Sequence, residues 1–412
     1  MLSELASKFK IEEFDWYLVG TALILSVIGI ILIYSATHFN PHPGEREYYL
    51  KQMVWLFFSI LFGFILFFIP IRLHEAFVSV YYVLGLALLL AVLAIGSAKM
   101  GAARWFALGP FNFQPSELAK VATLMALSRY LSYTKRSFYN LRFLAAVFFL
   151  ALLPALLIIR QPDLGTSLVF VALLISLLFW KGLSFWQIIL FVSPFLSLIF
   201  AFHWISFAIF FLTLIGILYY LRPNFLFTTI VLLLNLGFGI ITPLAWNHLH
   251  DYQKMRIIIF LDPGKDPQGA GYQIIQSKIA VGSGGILGKG FLKGTQTKLA
   301  FLPEQHTDFI FSVLGEEFGF WGSLVLLLLF AFLFFRGIVI ARKCRNSFAS
   351  FVAVGLTSVF AFQMLINIGM VIGLLPVTGL PLPFVSYGGS SLLTSWGMIG
   401  ILLAINRKWY EY

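Results

Sequence analysis

Apolar runs of about twenty residues follow one another along the chain, separated by short polar stretches. Each is long enough to cross roughly 30 Å of hydrocarbon as a helix. Strict two-residue alternation, the signature of a membrane barrel, is missing, so the pattern predicts helices. The spans fall at 16–36, 52–71, 77–96, 116–132, 141–159, 164–180, 186–201, 204–221, 225–246, 308–335, 348–372 and 388–406. The run from Trp186 to Leu221 is too long for one crossing and is divided at "FHW". The expected fold is an all-α polytopic membrane bundle of about twelve spans.

Charge tests that count. Lys8 and Lys10, Arg72, Lys135 and Arg136, Lys181, Arg222, Arg342 with Lys343 and Arg345, and Arg407 with Lys408 occupy alternate connections. Cytoplasmic connections collect lysine and arginine, which places both termini in the cytoplasm. Ten spans keep this parity and eleven break it. Residues 247–307 then form a large extracytoplasmic loop, the longest connection in the chain. It contains apolar helical stretches such as "IIQSKIA" and is expected to fold back onto the bundle.

Composition agrees with the pattern. The chain of 412 residues is 60% hydrophobic and 11% charged, with 46 phenylalanines. That is more apolar surface than a soluble domain can hide. The net charge of +11 is accounted for by cytoplasmic connections, so no nucleic-acid partner is expected. The single cysteine, Cys344, excludes an internal disulfide and a multi-cysteine metal site, and reads as a free structural thiol. "MLSELASKFKIEEFDWY" has mixed charge and precedes too long an apolar run for a cleavable signal.

Four polar clusters lie on outer connections or at the outer ends of spans. In "MGAARWFALGPFNFQPSELAK" Glu117 and Lys120 stand three apart at a helix start, on one face. Such groups at membrane depth are costly and line polar cavities; the plainer reading is a salt bridge pinning an amphipathic helix. "RQPDLGTS" brings Arg160 and Asp163, and Asp163 also suits the cap of the helix starting at Leu164. The long loop carries Asp251, Arg256, Asp262, Lys265, Asp266, Lys278, Lys289, Lys293 and Lys298. Its "GSGG" and "GKGFLKG" glycines would let the backbone approach a ligand, and lysines beside them suit an anion such as phosphate. "PEQHTDF" adds Glu304, His306 and Asp308, read as a helix-start network ahead of a metal site. "GLLPVTGLPLPFVSYGGSS" cannot be a plain helix and is expected to be a re-entrant or lip segment lining a cavity. Its Ser386 has no histidine nearby in sequence, which gives little reason for a Ser-His-Asp hydrolase. There is no nucleotide-binding loop and no two-histidine metal pair.

Together "GAARWFALGPFNFQPSELAK", "QPDLGTS", "DPQGAGYQIIQSKIAVGSGG", "FLPEQHTDFIFSVLGEEFGF" and "PVTGLPLPFVSYGGSS" resemble the signature segments of the SEDS family, the shape, elongation, division and sporulation proteins. The likeness runs over nearly the whole chain in preserved order. "FLDPGKDP" and "KGTQTK" resemble the RodA branch; the FtsW branch typically has Asn-Pro at the first Asp-Pro. The resemblance implies a peptidoglycan glycosyltransferase of the bacterial inner (plasma) membrane. Such an enzyme polymerises lipid II on the outer face during cell elongation and so supports cell shape. It implies a class B penicillin-binding protein as transpeptidase partner, beside other membrane proteins of the elongasome. It also implies Asp266 as the catalytic carboxylate, with Glu117 and Lys120 near it and Arg104 and Trp105 at the cavity. Arg160, Asp163, Arg256, Lys278, His306 and Ser386 complete the expected substrate-binding set. A divalent cation, Mg or Mn, is implied by the family alone, and no ligand set is legible. Ala103 stands where the family often has a second arginine. The family usually has ten spans, so 187–224 reads as an extra helical pair in a single domain covering 1–412.

The chemistry needs a base for the acceptor sugar's 4-hydroxyl, and a positioned carboxylate contributes roughly 10²–10⁴-fold. It also needs charge stabilisation at the departing diphosphate, for which Arg104, Lys120, Arg256 and Lys278 are the expected donors. Two other classes are weighed: a lipid II flippase, and a non-catalytic scaffold for the transpeptidase. A flippase needs access from both sides, whereas the acidic and glycine-rich clusters all sit outside. The charges at Glu117 and Lys120 speak against a scaffold.

Overall fold

The computed structural model describes residues 14–40, 43–99, 102–108, 111–136, 138–248, 254, 259, 262–267, 269, 271–299 and 301–407. Every predicted span is a helix. They are α1 (Trp16–His38), α2 (Tyr48–Phe68), α3 (Val78–Ile95), α4 (Pro115–Tyr133), α5 (Leu141–Ile159), α6 (Leu164–Trp180), α7 (Phe185–Phe200), α8 (Trp204–Leu221) and α9 (Phe225–His248). After the long connection come α10 (Tyr272–Gly284), which lies within it, and then α11 (Ile310–Lys343), α12 (Ser347–Val371) and α13 (Gly389–Asn406). Among the described residues nine helices are long and apolar enough to cross a membrane; α6 and α7 are shorter apolar helices. The chain is a multi-pass membrane protein.

At two helix-interior prolines the backbone group that is freed finds a side-chain partner, which suits a lipid environment. Pro154 in α5 cannot donate to the Leu150 carbonyl, and the Tyr82 hydroxyl of α3 donates there instead at 3.0 Å. Pro194 frees the Leu190 carbonyl of α7 in the same way, and Ser193 Oγ donates to it at 2.8 Å. Buried Asn235 of α9 donates to Ser193 Oγ and accepts from Ser197 Oγ at 2.6 Å, which binds α7 to α9. α8 is peripheral, burying only Leu214 and Leu218. It exposes Trp204 near one end and Tyr219 and Tyr220 near the other, where amphipathic rings favour a bilayer interface.

The centre is built on close backbone approach. A Cβ added at Gly63 of α2 would stand 2.6 Å from the Trp396 carbonyl of α13, and one at Gly400 would stand 2.1 Å from the Gly63 carbonyl. Small residues let these helices touch, the usual device where lipid removes the hydrophobic drive between helices. The Gly- and Pro-rich segment before α13 enters this centre: a Cβ at Gly29, midway along α1, would lie 2.7 Å from Val385 Cα. Gly29 is nine residues from the end of α1, so the segment reaches about 14 Å down the helix at 1.5 Å per residue. Phe384 there sits in the left-handed region (φ 65°), held by packing on Phe360 and Trp396.

Two features differ from the expectation. Three short strands, β1 (Ser97–Lys99), β2 (Ala102–Leu108) and β3 (Phe111–Phe113), form an antiparallel sheet of order β1-β2-β3 before α4. The stretch is too short and irregular in polarity to announce strands. The predicted span 308–335 is part of a longer, kinked helix. Gly319 (φ 62°, ψ −153°) divides α11 into a short N-terminal piece and a long C-terminal one. Only glycine fits there, since a Cβ would stand 2.4 Å from the Gly288 nitrogen.

Candidate functional site

α4, α12 and α13 each run from one end of the bundle to the other. At one end the starts of α4, α6, α11 and α13 meet the strands and the segment before α13. Asp163 caps α6, accepting from Thr166 N at 3.1 Å and Thr166 Oγ1 at 2.9 Å. Gln114, before α4, donates to Asp163 Oδ2 at 3.5 Å. Arg104 of β2 donates through Nε to the Gln161 carbonyl at 3.0 Å, and to the Pro162 carbonyl. Ser390 donates to the Asn112 carbonyl at 2.8 Å and accepts from Gln114 N at 3.3 Å, fixing the sheet to α13.

The turn before α11 completes this end. Ser386 Oγ donates to the Thr307 carbonyl at 2.6 Å, accepts from Leu382 N at 2.8 Å, and Tyr387 N donates to the His306 carbonyl. Ser386 is thus a strut between two segments and is not poised as a nucleophile. Asn367 of α12 donates to the Asp308 and Leu380 carbonyls at 2.9 and 2.8 Å. His306 packs on the Tyr48 ring at 4.9 Å, and Tyr48 stacks on Tyr387 at 4.6 Å. Burial holds His306 below its ordinary range, against the raising effect of Glu304 and Glu45. Burial likewise pushes Asp308 up to about 7, helped by the charges of Glu304 and Asp163 and opposed by Arg104.

One turn into α4, Lys120 Nζ lies 2.8 Å from Glu117 Oε1, and both side chains are buried. The spacing predicted one shared face, and the plainer reading, a salt bridge, is what the structure contains. The pair is enclosed rather than lining an open cavity wall.

Asp266 is elsewhere, on the long connection between α9 and α11. It follows a short 3₁₀ turn, Pro263–Lys265, is half-buried, and accepts from Gly269 N at 2.9 Å. Its carbonyl receives Gly271 N at 3.1 Å, just before α10. Glu117 and Lys120 bond each other, and among the described residues neither shares a hydrogen bond or ion pair with Asp266. Lys278 is exposed on α10, its stem 3.0 Å from where a Cβ at Gly373 would stand. Arg160 is exposed at the end of α5, and Trp105 lies in β2 opposite Ser97. Arg256 lies outside the described residues.

The glycine-rich stretch departs from its expected role as a ligand cradle. A Cβ at Gly284 would meet the Gly315 carbonyl at 1.9 Å, and one at Gly288 (φ +78°) the Glu317 carbonyl at 2.2 Å. These glycines let the loop lie on α11. Its lysine is engaged too: Glu316 accepts from Lys289 Nζ (2.7 Å), Thr295 Oγ1, Gln296 N, and Thr297 N and Oγ1. Sequence reasoning missed Glu316 as the residue that folds the loop back. It noted Asp308 without assigning it to substrate binding or catalysis. Among the described residues no group of three His, Cys, Asp or Glu side chains is placed to hold a metal ion.

A multi-pass helical membrane protein with ionisable side chains gathered at one end of an apolar bundle is the class so defined. The chain belongs to the cell cycle protein family of FtsW, RodA and SpoVE, whose family model matches residues 15–210 and 204–411. It is 37% identical over 385 residues to the peptidoglycan glycosyltransferase MrdB of Escherichia coli K12, covering 93% of this chain and 92% of that one. It is 34% identical over 429 residues to the peptidoglycan glycosyltransferase RodA of Treponema pallidum, covering 97% and 98%. It also resembles a chain of a solved peptidoglycan synthase complex described as coordinating polymerisation and crosslinking. That likeness has a TM-score of 0.72 at 32% identity, over 96% of this chain and 98% of that one.

Proposed function

We propose that this protein is a peptidoglycan glycosyltransferase that polymerises lipid II into glycan strands during cell elongation. The observation that carries the reading is likeness across nearly the full chain to proteins named for that activity. The polar end of the bundle is the proposed reaction site, on the outer face, with both termini cytoplasmic and twelve helices crossing the membrane. The partition of charge supports this orientation: Arg72, Lys135, Arg136, Arg345 and Arg407 all lie at the opposite end.

In the proposed reaction Asp266 takes the proton from the acceptor sugar's 4-hydroxyl. The oxygen then bonds to the anomeric carbon of the donor, and the donor's polyprenyl diphosphate leaves with the electron pair of the broken bond. Gly269 N–H orients the Asp266 carboxylate. Arg104, on the rim, and Lys278, exposed on α10, are the described cations proposed to meet the diphosphate; Arg256 is a further one by sequence. Lys120 is enclosed with Glu117, so the pair is proposed to act by positioning α4 and setting its field. The divalent cation implied by the family finds no ligand set among the described residues, and no step is routed through it.

The proposed partner is a class B penicillin-binding protein, with other elongasome membrane proteins around the pair. The decisive assay incubates the purified chain and a transpeptidase-inactive partner with labelled lipid II. Polymer is expected from the wild type and none from Asp266→Asn. Full-length glycan from that variant overturns the assignment of the base.

A further inference from the structure

The end of the bundle opposite the candidate site contains three adjoining cavities that polymerisation does not use. One, of about 370 Å³, is lined by Arg72, Glu75, Tyr133, Arg345 and Arg407 among others. A second, of about 570 Å³, is lined by Lys135, Arg136, Trp180 and Lys181. The two share Ser132, Cys344 and Ser347, so they flank the short connection between α11 and α12. Six cationic side chains line them against one carboxylate, Glu75, whose Oε1 accepts from Tyr133 Oη at 2.8 Å. The third, of about 390 Å³, is mostly apolar, with Val78, Val83, Ala126 and Leu150 in its walls and one cation, Arg129, among them. It meets the first cavity at Tyr133 and the second at Thr134.

Some of these cations are held in place. Lys181 Nζ donates to the Leu131 and Thr134 carbonyls, both at 2.6 Å, at the end of α4. The buried Arg407 guanidinium lies over the Phe67 ring at 4.9 Å. The first turn of α12 starts in the shared wall, but α4, α6, α11 and α13 end beside it. The side-chain cations and not a helix dipole therefore make the recess positive. A cytoplasmic excess of lysine and arginine explains why such residues stand on these connections. It does not explain their convergence on linked cavities beside an apolar cleft between α3, α4 and α5. Cation-lined recesses at that level suit a phosphate, and the cleft suits a hydrocarbon chain.

We propose that these cavities bind an anionic glycerophospholipid, its phosphate among the six cations and an acyl chain in the cleft. The cleft favours a lipid over a free phosphate.

The test uses the full chain, purified in nonionic detergent and delipidated. It is then offered dioleoylphosphatidylglycerol or dioleoylphosphatidylcholine, and bound lipid is counted by native mass spectrometry. Phosphatidylglycerol is expected to be retained about tenfold over phosphatidylcholine. Arg72→Gln, Lys135→Gln and Arg136→Gln, all at exposed side chains, should each lower its retention about fivefold. Arg222→Gln, at an exposed cation on another connection of the same end, should leave retention unchanged. Millimolar inorganic phosphate should not displace the lipid. Equal retention of the two lipids overturns the proposal, as does an Arg222→Gln loss equal to that of Arg72→Gln, which would mean diffuse surface charge. Displacement by inorganic phosphate overturns it in favour of a free-anion site. Melting temperatures in phosphatidylcholine confirm that each variant is folded.

Discussion

Lys120 Nζ and Glu117 Oε1 stand 2.8 Å apart in α4, and neither side chain reaches solvent. Removing one partner of an enclosed pair strands the other charge at a cost of roughly 3–5 kcal/mol. Lys120→Met is therefore expected to lower the melting temperature sharply. The double variant Glu117→Gln/Lys120→Met should recover most of the loss while staying inactive in lipid II polymerisation. A single variant as stable as the wild type would contradict this account of the pair.

Gly269 controls the proposed base. A Cβ there would lie 2.1 Å from Asp266 Oδ2, so Gly269→Ala must displace the carboxylate. A shift of about 1 Å at a reacting group costs on the order of 10²-fold. Polymer formation on a gel should fall by about that factor with the melting temperature little changed. Unaltered synthesis would remove Asp266 from the centre of the mechanism.

Asp308 makes stability depend on pH in a stated direction. Its folded pKa of about 7 lies above the ordinary 3.8, so the fold favours the protonated acid. That contribution is complete below about 3.8, shrinks as the pH rises, and is gone above about 7. Melting temperatures of the wild type, measured across this window, should decline relative to those of Asp308→Asn. Parallel curves would show that Asp308 does not titrate there.

Glu316 holds the long connection to α11 through five hydrogen bonds. Glu316→Ala leaves Lys289 and two backbone N–H groups without their acceptor, at about 3 kcal/mol. Limited proteolysis should then cut within 289–299 faster than in the wild type. Equal cutting rates would mean that the glycine contacts alone suffice.

Much of this was legible in the sequence, and the reason is periodicity. Apolar length announced each helix, the three-residue spacing put Glu117 and Lys120 on one face, and Asp163 before Leu164 announced a cap. The sheet at 97–113 was not legible, because its strands are short and are held by partners as remote as Ser390. Nor was the raised pKa of Asp308, which arises from burial together with the charges of Glu304 and of the remote Asp163. "GSGG" read as a phosphate cradle because glycine records only that something comes close.

By itself the sequence determined a multi-pass helical bundle, since hydrocarbon demands long apolar helices whose backbone groups are satisfied internally. Tertiary structure alone decided which polar residues meet. It brought Arg104 beside the Asp163 turn and laid the glycine loop on α11. Those contacts join residues far apart in the chain, and only packing fixes such distances.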